Sequence, residues 1–116
     1  MKKLEAIVRK SKFKDVKQAL LKEGIEFFSY WMVRDMGKDY ETRIYRGVEY
    51  KTPAAERIWL SIFLEDKDVD QIVQLIIESG RTGDVGDGRI FITNIDNAYR
   101  IRTGAHGDEA LNFNDQ

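Results

Sequence analysis

The chain has no cysteine, one histidine and one proline in 116 residues. Without thiols there can be no disulfide, no thiolate metal site and no thiol catalysis, a composition compatible with a reducing compartment. A solitary histidine, His106, builds neither a zinc cluster nor a catalytic triad, and it reads as an exposed loop residue. Charge of one sign is also missing: 19 Lys+Arg stand against 20 Asp+Glu, a formal charge of −1, so no global basic field argues for nucleic acid. Nowhere do about eighteen apolar residues run together, and Met1-Lys2-Lys3-Leu4-Glu5 does not resemble a secretion signal. These absences predict a soluble, cytoplasmic protein. The length fits one domain, residues 1–116, able to bury roughly two-thirds of its unfolded surface.

What is present is periodic. Residues 4–9 are short and β-like. Residues 12–23 carry Phe13, Val16, Leu20 and Leu21 at helical spacing and stop at Gly24. Residues 26–36 read as a strand rich in aromatic and β-branched side chains. Residues 37–53 hold Gly37, Gly47 and Pro53, lack a sustained period and read as a long loop, which in a compact domain is usually functional. Tyr40, Tyr45 and Tyr50 recur along it, and aromatics on such a loop suit partner docking; a solvated hairpin extension is the other reading. Residues 57–64 return as a strand. A second helix follows, with Asp66 as N-cap, Val69, Ile72, Val73, Ile76 and Ile77 on one stripe, and Gly80 at its end. A last strand over 89–95 precedes a tail, 96–116. The order βαββαβ is that of a ferredoxin-like α+β fold with an antiparallel sheet.

Both faces of the middle strands are apolar. Phe28, Tyr30 and Met32 alternate with Phe27, Trp31 and Val33, and Ile58, Leu60 and Ile62 alternate with Trp59 and Phe63. Two helices cover one face of such a sheet, leaving Phe27, Trp31, Trp59 and Phe63 on the other. At roughly 150–250 Å² per aromatic side chain, that exceeds what a monomer normally exposes. A second subunit is the expected cover; the tail folding back is the alternative, though its last residues are polar.

The segment Thr82-Gly83-Asp84-Val85-Gly86-Asp87-Gly88-Arg89-Ile90-Phe91 packs three glycines ahead of an apolar strand. Glycine takes positive φ and lets backbone N–H groups converge on an anion, and Arg89 adds a planar fork suited to phosphate. Arg100 and Arg102 are expected to share one face of an extended segment. Together they point to a polyphosphate ligand, most simply a nucleotide. A tight helix-to-strand connector is the alternative.

Taken in order, the glycine loop, Tyr45-Arg46-Gly47-Val48-Glu49-Tyr50 and Tyr99-Arg100-Ile101-Arg102-Thr103-Gly104 make the chain resemble the PII nitrogen-regulatory signal proteins, from Lys3 to Leu111. The resemblance implies homotrimers of ferredoxin-like subunits that bind ATP or ADP between subunits and dock a long T-loop, here residues 37–53, onto targets such as membrane ammonium transporters. It assigns the phosphates to the loop 82–89, with Thr82, Gly83, Gly86, Asp87, Gly88 and Arg89, and to Arg100 and Arg102 of the adjoining subunit. Ser29 stands where a small hydroxyl residue lies against the adenine. Ser61 replaces a frequent glutamate and Phe63 an aliphatic residue, implying a remodelled adenine pocket. Arg57 replaces a lysine near the γ-phosphate and 2-oxoglutarate. Gly37 and Lys38 fall at the nucleotide end of the T-loop. Arg46 aligns with the arginine that enters the transporter pore, beside Tyr45 and Gly47, and Tyr50 with a tyrosine that some members have uridylylated.

The main departure is Gly37-Lys38-Asp39-Tyr40-Glu41, which lacks the family's glutamine ligand to Mg²⁺. Asp39 supplies an oxygen that Mg²⁺ accepts, yet a carboxylate repels the dicarboxylate 2-oxoglutarate. Cooperative 2-oxoglutarate sensing and a nucleotide-only switch therefore both stay open. The expected function is signalling without catalysis, with no catalytic residue assigned. The alternatives are a PII-like sensor of another nucleotide or small anion serving a different transporter or pathway, and a slow ATPase; the sequence has no Gly-x-x-x-x-Gly-Lys-Ser/Thr loop and no activated nucleophile.

Overall fold

Alternation along Lys2-Lys3-Leu4-Glu5-Ala6-Ile7-Val8-Arg9 dictates the centre of the molecule: Leu4, Ala6 and Val8 are buried on one face, while Lys3, Glu5, Ile7 and Arg9 occupy the other. The computed structural model describes residues 1–36, 41–45, 48–52 and 55–111, and of 41–45, 48–52 and 55 the backbone path. The elements are β1 (Lys2–Arg9), α1 (Phe13–Lys22), β2 (Ser29–Asp35), β3 (Glu41–Tyr45), β4 (Val48–Thr52), β5 (Ala55–Leu64), α2 (Val69–Gly80) and β6 (Gly88–Asn94). Four strands form one antiparallel sheet in the order β2-β5-β1-β6, the ferredoxin-like arrangement expected for α+β order βαββαβ.

α1 ends as its glycine dictates. Gly24 takes φ +90°, the amide of Ile25 donates to the Leu20 carbonyl at 2.9 Å and that of Gly24 to the Leu21 carbonyl at 3.1 Å, which is a Schellman motif. The expected N-cap of α2 is corrected: a 3-10 turn, Asp66–Asp68, leads into the helix and no side chain caps it. The Asp66 carboxylate instead receives the Met1 ammonium, a charged donor that outcompetes a neutral backbone amide.

Both helices pack on the face carrying Leu4, Ala6, Val8, Ile58, Leu60, Ile62 and Leu64, and close it with Val16 and Leu20 from α1 and Val69, Ile72 and Ile76 from α2. Coverage fades at the β2 edge. Tyr30 and Met32 remain about half exposed, although the Tyr30 ring lies 4.7 Å from that of Phe13.

The opposite face stays open. Trp31 and Trp59, paired in register, stack at 6.1 Å between centroids, and the Trp59 Nε1 donates to Glu5 Oε2 at 2.8 Å. Trp31, Phe63 and Phe91 are 45%, 46% and 44% exposed, so the described residues do not cover them; residues 112–116 lie outside those described.

The segment expected as a long loop is corrected as well. Glu41–Tyr45 and Val48–Thr52 pair antiparallel, from Glu41↔Thr52 to Tyr45↔Val48, as a separate two-stranded sheet. Thr42, Ile44, Tyr45, Val48, Tyr50 and Thr52 supply the β-branched and aromatic content that favours strands, and the register leaves a two-residue connection, the commonest hairpin length.

Leu60 is fully buried at the middle of β5. Leu60→Ala is expected to destabilise the fold by about 2–5 kcal/mol, seen as a lower urea midpoint with an unchanged slope.

Candidate functional site

The turn from α2 into β6 is organised by one carboxylate. Asp87 Oδ2 accepts the amides of Thr82 and Gly83, each at 2.9 Å, and Oδ1 accepts the Thr82 hydroxyl and, at 2.9 Å, Arg9 Nε. Arg9 Nη2 donates in turn to the Val85 carbonyl at 2.9 Å. The Thr82 hydroxyl first, then the Arg9 guanidinium and the two amides, hold the Asp87 carboxyl far below the usual carboxylate range. The amides of Thr82 and Gly83, expected to converge on a ligand, are thus committed to the loop's own acidic side chain.

Two glycines here are sterically required. Gly88 has φ +104°, and a Cβ on it would lie 1.7 Å from the Ile7 carbonyl oxygen of the neighbouring strand β1, where Gly88 pairs with Val8. Gly86 has φ +99°, and its Cβ would lie 3.1 Å from Arg57 Nη2 and 3.4 Å from Arg9 Nη2. Two guanidinium groups therefore converge on one glycine. They come from register partners, Arg9 on β1 and Arg57 on β5, and both sit on the open face. Arg89 joins that face opposite Ile7. Arg9 was not anticipated from the sequence; the signal for it was its place at the open-face end of β1, which gains meaning only once the β1–β6 pairing is known.

Among the described residues Arg57 hydrogen-bonds only the Glu56 carbonyl, at 3.4 Å, and Arg89 has no carboxylate partner. Ser29 and Ser61 face each other across β2 and β5, with Phe63 two residues further on the same face. Ser61 lies about 13 Å and Phe63 about 20 Å along β5 from Arg57, at roughly 3.3 Å per residue, so the serine pair and the arginines form separate groups on the same face. A groove of about 410 Å³ runs between α2 and β6, lined by Ile7, Val73, Ile77, Asp87, Gly88 and Arg89, a size typical of small-molecule sites.

The segment carrying Arg100 and Arg102 is not extended, which corrects the shared-face expectation. Tyr99 and His106 bridge, the Arg100 amide donates to the Ala105 carbonyl at 2.8 Å, and the Gly104 amide donates to the Arg100 carbonyl at 2.8 Å. The chain reverses because Gly104 accepts φ +73°. Arg100 Nε and Nη2 are buried without a hydrogen-bond partner among the described residues, a costly state for charged donors. Arg102 is exposed on the turn, as is His106. Gly37, Lys38, Asp39, Arg46 and Gly47 lie outside the described residues; Tyr45 and Tyr50 fall on β3 and β4.

Residues 1–105 match the family model described as Nitrogen regulatory protein P-II. The chain is 40% identical over 112 residues to Nitrogen regulatory protein P-II 1 of Methanothermobacter thermautotrophicus, covering 96% of this chain and 97% of the relative. Identity to Nitrogen regulatory protein P-II of Pyropia yezoensis is 42% over 96% of this chain and all of the relative. For the protein of that name from Haemophilus influenzae it is 38% over the same shares.

Because the folded Asp87 carboxyl is depressed, its contribution to stability is complete above the unfolded value, roughly 3.9, and is lost as pH falls from there toward the folded value. The stability gap between wild type and Asp87→Asn should be constant from pH 7 to about pH 5 and shrink below about pH 4, measured by urea denaturation across pH. A gap that stays constant in acid would remove Asp87 as the organising group.

Proposed function

The chain belongs to the nitrogen regulatory protein P-II family, and from that premise we propose that it senses ATP and ADP at a site shared between subunits and relays the result through its β3–β4 hairpin. The observation that carries this reading is a set of cationic donors left over: Arg57 and Arg89 flank the Asp87-ordered loop on the open face without carboxylate partners, and Arg100 in the tail holds buried donors without a hydrogen-bond partner, all among the described residues. A polyanion satisfies all three.

The assembly follows from the same surfaces. Trp31, Phe63 and Phe91 near half exposure make the open face a candidate subunit contact, and a homotrimer brings Arg100 and Arg102 of one subunit to the 82–89 loop of the next. Thr82, Gly83, Gly86, Asp87, Gly88 and Arg89 then frame the phosphates, while Ser29, Ser61 and Phe63 line the base. ATP and ADP differ by one phosphoryl group, so Arg57 contacts the terminal phosphate in one state only, the differential binding that a switch requires. Gly37 and Lys38 extend that contact toward the hairpin, and Asp39 is a candidate Mg²⁺ ligand through the nucleotide, with 2-oxoglutarate the further effector to be tested. Tyr45, Arg46, Gly47 and Tyr50 present the hairpin to a target, a membrane ammonium transporter by family precedent, and Tyr50 is the residue to examine for modification.

Sedimentation equilibrium is expected to give three times the chain mass; a stable monomer would sink the shared site. Arg102→Ala is expected to weaken ATP and ADP binding by more than about tenfold, the worth of a desolvated charge-assisted contact. Calorimetry with ATP and ADP, with and without Mg²⁺ and 2-oxoglutarate, reads this directly, and unchanged affinity rejects the site. A turnover assay run alongside separates the sensor from a slow ATPase.

A further inference from the structure

We propose that Arg9 is the positioning residue that keeps Arg57 available to the ligand, so that discrimination between nucleoside triphosphate and diphosphate depends on a side chain that does not itself touch the terminal phosphate. The inference rests on the nucleotide reading above and deepens it. Arg9 and Arg57 are register partners, and their Nη2 atoms meet the same point in space, 3.4 and 3.1 Å from where a Cβ of Gly86 would sit. Two guanidinium groups this close repel unless an anion lies between them.

Asp87, the next residue along, is that anion for one of the two only. Its Oδ1 takes Arg9 Nε at 2.9 Å, and Arg9 is locked there by its second bond, from Nη2 to the Val85 carbonyl at 2.9 Å. The remaining acceptor positions of Asp87 hold Thr82 and Gly83. Asp87 is thus saturated, and Arg57 beside it keeps only the Glu56 carbonyl at 3.4 Å among the described residues. The pairing is asymmetric because Arg9 is tethered at both ends of its fork.

Removing the Arg9 guanidinium opens one strong acceptor site on Asp87 within reach of Arg57. Arg57 then pairs internally, its fork is withdrawn from the terminal phosphate, and triphosphate and diphosphate become alike to the site. The side chain of Arg9 acts through occupancy of Asp87, so any cation that reaches the carboxylate can replace it.

The test is calorimetry with ATP and with ADP on wild type, Arg9→Gln, Arg57→Gln and the double variant, with thermal melts to confirm folding. The ratio of ATP to ADP affinity is expected to fall about tenfold or more in Arg57→Gln, to fall equally in Arg9→Gln, and to fall no further in the double variant, since the two act as one unit. Arg9→Lys should restore the ratio. Arg9→His should restore it at pH 5.5 and lose it at pH 8, each relative to wild type at the same pH, as imidazole loses its charge near 6.5; this pH dependence decides the matter if Arg9→Gln does not fold. A ratio that falls in Arg57→Gln but stays at the wild-type value in Arg9→Gln, or additive losses in the double variant, overturns the role of Arg9 alone. A wild type that binds neither nucleotide, or an Arg57→Gln with an unchanged ratio, overturns the nucleotide reading and this inference with it.

Discussion

The carboxylate of Asp87 has four donors on it, two amides, one hydroxyl and one guanidinium, and the geometry of the phosphate-loop candidate follows from where those donors come from. Thr82 and Gly83 bind it from within the turn and fix the loop's curvature. Arg9 binds it from β1 and fixes the loop's position on the sheet. An ionised, saturated carboxylate is no longer a repulsive feature for an incoming anion, because its charge is matched at contact distance. That accounts for an acidic residue in the middle of a loop expected to hold phosphate. The pairing of β6 with β1, which only a residue without Cβ permits at Gly88, brings Arg9 and Asp87 within range.

The second constraint is geometric. Two helices bury the face of the sheet carrying Leu4, Leu60 and Ile62, and no third layer exists among the described residues to bury Trp31, Phe63 and Phe91. The Trp59 indole and the Glu5 carboxylate satisfy each other on that face, so the polar groups there do not forbid a dry contact. Arg9, Arg57 and Arg89 sit on the same face. Whatever covers the aromatics therefore also encloses the guanidinium groups and strengthens their pull on an anion by excluding water.

Much of this could be read from residue order. Strand and helix positions came from alternation and from the stripe Val69, Ile72, Ile76, because burial imposes those periods on the sequence directly. The open aromatic face was legible for the same reason. The hairpin was not: its residues carry no sustained apolar alternation in the sequence, and β-propensity without amphipathicity looks like a loop. Asp66 departs from its expected role because a capping residue is chosen by local spacing, whereas its actual partner, the Met1 ammonium, is distant in sequence and is brought to it by the fold. The turn at Arg100–Gly104 was misread because alternate residues share a face only in extended backbone, and Gly104 breaks that premise. Arg9 escaped notice because its role depends on strand register, which the sequence states only once three strands are paired.

The hairpin and the site are joined more closely than their separation in sequence suggests. β3 and β4 leave the sheet between Asp35 and Ala55, which are themselves register partners on β2 and β5, and Arg57 pairs with Val33 only two positions further in. Between them Glu56 is held by the Lys10 ammonium at 3.0 Å, with Arg34 nearby, and its carboxyl is lowered by that pairing. This short polar ladder is the whole distance between the guanidinium that reads a terminal phosphate in the proposed function and the base of the segment that would report it. A change in what Arg57 binds acts on the backbone of β5 next to Glu56, which is held by the pairing with β2 on one side and, at Arg57 itself, with Arg9 of β1 on the other. A signal can therefore cross from site to hairpin by repartnering a few side chains at one end of two strands, with the buried core left undisturbed.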